Sequence, residues 1–129
     1  MPRQPRLKLT RLEMELMQPL WKLQQASIRE ICDALPKDRR PEYTTVQTVI
    51  YRLEEKGAVQ RVKKIGNAHI FAPAIPRKSA VGTLIDDLVD ALGGSPEPLM
   101  SHLVESGQVG LKELKELEAL LEEQKRSKK

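Results

Sequence analysis

The spacing of apolar residues changes at a single glycine, and that change limits what the chain can fold into. Before Gly57, Val46, Val49, Ile50 and Leu53 recur at i, i+3, i+4 and i+7. This predicts a helix with one buried stripe, which Gly57 is suited to end in a left-handed conformation. After it, AVQRVKKIGNAHIFAPA reads as two short strand-like runs around Gly66 and Asn67, residues that favour a tight hairpin. A helix feeding directly into a hairpin must share its apolar stripe with other elements, and these are found upstream.

LTRLEMELMQPLWKL opens with Thr10 and Glu13 at capping-box spacing. Leu12, Leu16, Leu20 and Leu23, with Met17 and Trp21 beside them, continue at helical spacing. Pro19 removes a backbone donor within this helix, so a kink or an offset last turn is expected there. SIREICDAL starts with a second capping box, Ser27 to Glu30, and sets Ile28, Ile31, Cys32 and Leu35 on one side before stopping near Pro36. KDRRPE, broken by Pro41, reads as a loop. The fold class is therefore mainly α: a winged helix-turn-helix of three helices and a hairpin wing, followed by a helical C-terminal region. With only 3% aromatic residues the core must be aliphatic.

Opposite its apolar stripe, the third helix presents Thr44, Thr48, Tyr51 and Glu55, flanked by Gln47 and Arg52. An ordinary solvated face would carry Glu and Lys throughout, and this one does so only in its last turn. In a winged helix the third helix enters the major groove and the hairpin can touch the phosphate backbone. Thr, Gln and Tyr side chains exchange hydrogen bonds with base edges and phosphates, where carboxylates are repelled. Residues 1–78 hold 16 Lys and Arg against 8 Asp and Glu, whereas residues 79–129 hold 6 against 10. The first part thus suits a polyanion and the second does not. Structural roles compete with these: one of Thr44 and Thr45 is expected to cap the helix, Tyr51 has the option of lying along the protein surface, and Lys63 and Lys64 also fit a solvated hairpin edge.

Beyond Pro76 the pattern is helical only. SAVGTLIDDLVDALGG places Val81, Leu84, Ile85, Leu88, Val89 and Leu92 on a wide apolar face, with Gly93 and Gly94 as the stop. Ser95 and Pro96 suit the start of a short helix, and LKELKELEALLEEQK closes the chain with a stripe of Leu111, Leu114, Leu117, Leu120 and Leu121. Three such helices bury too little surface to stand alone, and a second copy of the same chain is the simplest partner. The expected organisation is a DNA-binding domain over residues 1–75 and a dimerisation domain over 76–129, with Leu84, Ile85, Leu88, Leu92, Leu114, Leu117 and Leu121 in the seam.

Other classes fit less well. The chain has no glycine-rich phosphate loop, HExxH or GxSxG, so an enzyme is not expected. Cys32, His69 and His102 are too few and too dispersed for a metal site, and no cofactor is expected. Cys32 reads as a small core residue and His69 as structural or solvated. No apolar run suits a membrane span or a signal segment, which points to the cytoplasm. The alternative that remains is a winged helix that binds a protein partner without sequence-specific DNA binding, for which an apolar or acidic outer face on the third helix would be the mark.

The sequence resembles the penicillinase-repressor family, the BlaI/MecI/CopY type of winged-helix regulators, over nearly its whole length. LTRLEMELMQPLW matches that family's first helix, TTVQTVIYRLEEKGAV its recognition helix, KKIGNAHIFAPAI its wing and VESGQVGLKELKELEALLEE its dimerisation helices. The most specific part is T-x-x-T-x-[IL]-x-R-L-x-x-K-G, here Thr45, Thr48, Ile50, Arg52, Leu53, Lys56 and Gly57. The resemblance implies a homodimeric repressor that binds a palindromic double-stranded operator, often built on TACA and TGTA half-sites. By position it sets Thr44, Thr45, Gln47, Thr48 and Tyr51 toward the groove and Arg52, Lys63 and Lys64 toward phosphate. Better-known members carry basic residues where this chain has Thr44 and Gln47; Gln47 suits adenine, where Arg favours guanine. The family also implies a signalling protease as a partner, but the Asn-Phe bond cut in resistance regulators aligns near His102 and Leu103 here. The cysteine cluster of the copper-responsive branch is absent.

Overall fold

The computed structural model describes residues 7–127, so the first six residues of the basic N-terminal segment lie outside the description. The elements are α1 (Arg11–Leu23), α2 (Ile28–Ala34), α3 (Tyr43–Lys56), β1 (Val59–Ile65), β2 (Ala68–Pro73), α4 (Arg77–Ala91), α5 (Glu97–Glu105) and α6 (Leu111–Ser127). This is the mainly helical winged helix-turn-helix with C-terminal helices that the apolar spacing predicts. By backbone contacts the chain divides into two compact units, Met1–Asp86 and Asp87–Lys129, and the division falls within α4.

Both predicted capping boxes form. Thr10 Oγ1 accepts from the Glu13 amide at 3.2 Å while Glu13 Oε1 accepts from the Thr10 amide at 2.7 Å, and Ser27 and Glu30 exchange the equivalent pair at 3.2 and 2.9 Å. Each box satisfies amides that a helix start otherwise leaves without partners. α1 runs through Pro19 to Leu23, and Gln24 then turns the chain at φ 73°, its amide returning to the Leu20 carbonyl at 2.8 Å. The expected stripe of α1 ends one turn early: Leu16 and Leu20 are buried but Leu23 is exposed. Trp21 is half-buried and donates its indole N–H to the Ile75 carbonyl at 2.9 Å, tying α1 to the segment that follows the wing.

The predicted KDRRPE loop contains a single 3-10 turn, Lys37–Arg39. Arg40 then folds back so that Nη2 donates to the carbonyls of Asp33 and Leu35 at 3.0 and 2.9 Å. Those carbonyls at the end of α2 lack helical partners, and the guanidinium supplies them.

The core of the first unit gathers Leu16, Met17, Leu20, Ile31, Val46, Ile50 and Leu53 around Phe71, all with almost no exposure. It is aliphatic as expected, apart from the only phenylalanine in the chain at its centre. Burying side chains of this size stabilises by about 1.5–3 kcal/mol each. Cys32 is buried in the same cluster. Burial, with Asp33 alongside, pushes its thiol up from the ordinary value, which keeps it unreactive.

β1 and β2 pair antiparallel with Ile65 opposite Ala68, and Gly66 takes the positive φ of 60° that the first residue of a type II′ turn requires. Phe71 also exchanges backbone hydrogen bonds with Ala26, at 2.9 and 2.8 Å, in the connection between α1 and α2. β2 therefore lies between β1 and Ala26, and the wing is anchored at its base.

In α4 only Ala80 is buried, while Leu84, Ile85 and Leu88, and Leu92 just after the helix, are exposed. Near its start, Arg77 Nε donates to Gln18 Oε1 at 3.2 Å. α5 follows Ser95, whose hydroxyl oxygen accepts from the Glu97 amide at 3.3 Å. No described residue of the second unit is buried, and Leu114, Leu117 and Leu121 of α6 are all exposed. Among the described residues, no helix is long and apolar enough to cross a membrane.

Candidate nucleic-acid interface

α3 is bounded by the two signals its sequence offers, Pro41 before it and Gly57 after it. Gly57 sits at φ 84°, its amide bonded to Leu53 and Glu54 carbonyls. The predicted threonine cap is corrected: the N-cap is Glu42, which makes no side-chain cap bond, and Thr44 and Thr45 lie inside the first turn. An acidic residue at that end still complements the helix dipole. Val46, Val49, Ile50 and Leu53 are buried, as the stripe predicts.

The other face is open. Thr44, Thr45, Thr48, Tyr51 and Arg52 are exposed, and Gln47 is half-buried. Thr48 Oγ1 donates to the Thr44 carbonyl at 3.0 Å, which leaves the hydroxyl's acceptor capacity free. Gln47 Nε2 donates to the Tyr51 hydroxyl at 3.1 Å. Beside α3, the Arg29 guanidinium of α2 lies 5.3 Å from the Tyr43 ring centroid.

β1 continues this surface. A bulge between Arg61 and Lys63 leaves Val62 without a partner, so that Lys63 stands opposite Ile70 and Lys64 opposite His69. Both lysines are exposed. Arg61, just before the bulge, joins the wing to α3. Its Nε donates to Glu54 Oε2 at 2.8 Å, and its guanidinium lies 5.2 Å from the Tyr51 ring centroid and 5.4 Å from that of Phe71. The structure thus gathers Thr44, Thr45, Gln47, Thr48, Tyr51 and Arg52 on one helix, and sets Lys63 and Lys64 on the strand that follows it.

Arg61 was absent from the sequence-predicted set, although a signal existed. Alternation along β1 puts Arg61 on the same side of the strand as the buried Val59, although Arg61 itself stays exposed. Lys56, which belongs to the motif at the end of α3, has an internal role. Its ammonium donates to Glu13 Oε1 at 2.6 Å and to the Lys8 carbonyl at 3.2 Å. Burial raises the Glu13 carboxyl and is the largest single influence. The bonds from Lys56 and Thr10 together outweigh it and hold the group below its ordinary value.

Three helices with a hairpin anchored back to the first connection define a winged helix-turn-helix, an architecture of transcriptional regulators. The penicillinase repressor family matches residues 9–123, and the chain belongs to that family. It is 36% identical over 122 residues to the transcriptional regulator BlaI of Mycobacterium tuberculosis, covering 90% of this chain and 86% of that protein. It is 27% identical over 118 residues to the penicillinase repressor of Bacillus licheniformis, covering 91% of each. An uncharacterised 16.5 kDa protein of Latilactobacillus sakei is 26% identical over 115 residues, covering 88% of this chain and 78% of its own length. The relatives with assigned roles are a regulator and a repressor, and none is named as an enzyme.

Proposed function

We propose that the chain is a transcriptional repressor that binds a palindromic operator as a homodimer, with α3 in the major groove and the hairpin of residues 59–73 on the backbone. The observation that carries this reading is the uncovered outer face of α3. From Tyr43 to Leu53 it holds hydroxyls, one amide and one guanidinium, with no carboxylate. The first carboxylate after them, Glu54, is already paired with Arg61. A face of this chemistry meets base edges and phosphates without repulsion. In this reading Thr44, Thr45, Gln47, Thr48 and Tyr51 face the groove, and Arg52, Lys63 and Lys64 contact phosphate.

The helices of residues 76–129 form the dimer, with Leu84, Ile85, Leu88, Leu92, Leu114, Leu117 and Leu121 in its seam. Their exposure in the single chain supports this, since exposed leucine rows of this extent mark an interaction surface. Two-fold symmetry in the protein then mirrors two-fold symmetry in the site.

The test is a titration onto a fluorescent duplex carrying a TACA/TGTA palindrome and onto a scrambled duplex, at two salt concentrations. The expected result is saturable binding to the palindrome at two chains per duplex, with weaker and more steeply salt-dependent binding to the scrambled duplex. Equal binding to both moves the operator elsewhere and calls for selection from random DNA. Binding to neither overturns the proposal in favour of a protein-binding winged helix.

A further inference from the structure

We propose that Tyr51 and Arg61 are positioning residues that fix the amide of Gln47 for adenine and against guanine. This rests on the operator-reading face proposed above and says how that face selects a base. A glutamine amide carries two N–H donors on nitrogen and an acceptor on oxygen. Turned freely, it is able to offer two donors, a donor with an acceptor, or the acceptor alone. In this structure one N–H of Gln47 Nε2 is donated to the Tyr51 hydroxyl at 3.1 Å. What remains is one donor and one acceptor, side by side. Adenine presents N7 as an acceptor and N6–H as a donor in the major groove, which matches that pair; guanine presents two acceptors, N7 and O6, which does not.

The arrangement holds only while Tyr51 stays in place, and Arg61 keeps it there. The guanidinium lies 5.2 Å from the Tyr51 ring centroid, within cation–π range, and 5.4 Å from that of the buried Phe71. Its Nε is pinned by Glu54 Oε2 at 2.8 Å. Phe71, Arg61, Tyr51 and Gln47 therefore form one chain from the core to the groove-facing surface. Glu54 offsets the charge of Arg61, which makes Arg61 a poor phosphate contact despite its sign.

Affinities measured on an operator series with all four bases at each position, for the intact chain and its variants, test this. Gln47→Ala identifies the position that Gln47 reads. Tyr51→Phe keeps the ring and removes only the hydroxyl; it is expected to lower adenine preference at that same position by about 2- to 10-fold, the loss of one hydrogen bond, with other positions unchanged. In the Gln47→Ala background Tyr51→Phe should add nothing there, because the two act as one unit. Arg61→Met should weaken the same preference while leaving the salt slope unchanged. Three results overturn the proposal: a Tyr51→Phe effect that persists without Gln47, an effect at another position, or a salt slope lower by about one for Arg61→Met with base preference intact. An unmodified chain with no base preference anywhere overturns the operator-reading proposal itself, a result distinct from the other three.

Discussion

Glu13 is fully buried and one of its oxygens, Oε2, has no hydrogen-bond partner, so its ionised state depends on what Oε1 receives from Lys56 and Thr10. Removing the charge leaves the Lys56 ammonium against a neutral group. Glu13→Gln should therefore lower stability at neutral pH by about 1–3 kcal/mol, read as a urea midpoint. The folded-state value of Glu13 lies below its ordinary 4.5, so the stabilisation is complete above that value and is lost as pH falls through the folded one. The gap between the two proteins should narrow on acidification; a constant gap would mean that the charge contributes nothing. Half of this arrangement was legible in the sequence. Thr10 and Glu13 stand at capping-box spacing and declare the helix start, but Lys56 lies 43 residues further on, and local spacing carries no record of a partner that distant. Arg40 was hidden for a similar reason, because its bonds to the end of α2 exist only once the 3-10 turn has brought it back.

Among the elements, α3 and the hairpin were the most readable, since each is punctuated by residues with strong backbone preferences. Pro41 and Gly57 bracket the helix, and Gly66 makes the turn. The start of α3 was less readable: Thr44 and Thr45 both have good capping chemistry, yet the extended backbone at Glu42 does the work of entry without a side-chain bond. In the wing, the bulge at Val62 breaks the alternation beyond Arg61, so inward and outward positions near the hairpin tip are not sorted by spacing. Arg61 precedes the bulge, but its partners Glu54 and Tyr51 lie on α3, and strand spacing carries no record of them. The roles of wing and helix are separable by experiment. Lys63→Ala should weaken binding to all duplexes alike and lower the salt slope by roughly one, whereas Gln47→Ala should act at one base position. An equal loss on every sequence for both variants would mean that Gln47 reads no base.

At the scale of the whole chain, α4 and α6 carry leucine rows that are exposed. Periodicity makes those rows visible as Leu84, Leu88, Leu114 and Leu117, but a row of leucines specifies a need for cover and not the cover itself. On the dimer proposal, Leu117→Asp should halve the mass seen by light scattering and weaken operator binding with it; an unchanged mass would remove Leu117 from the seam. A different consequence follows from the base of the wing. Hydrogen bonds to Ala26 and the burial of Phe71 hold β2 against the first connection, so the span from α3 to the hairpin has little room to adjust. A rigid gauge laid on a flexible rod makes the rod conform. On an operator, the double helix would take up any mismatch in groove width, and base pairs that touch no side chain would still be selected by how readily they deform. Exchanging a pyrimidine–purine step for a stiff A-tract between the helix and wing contacts should then change affinity with every contact intact.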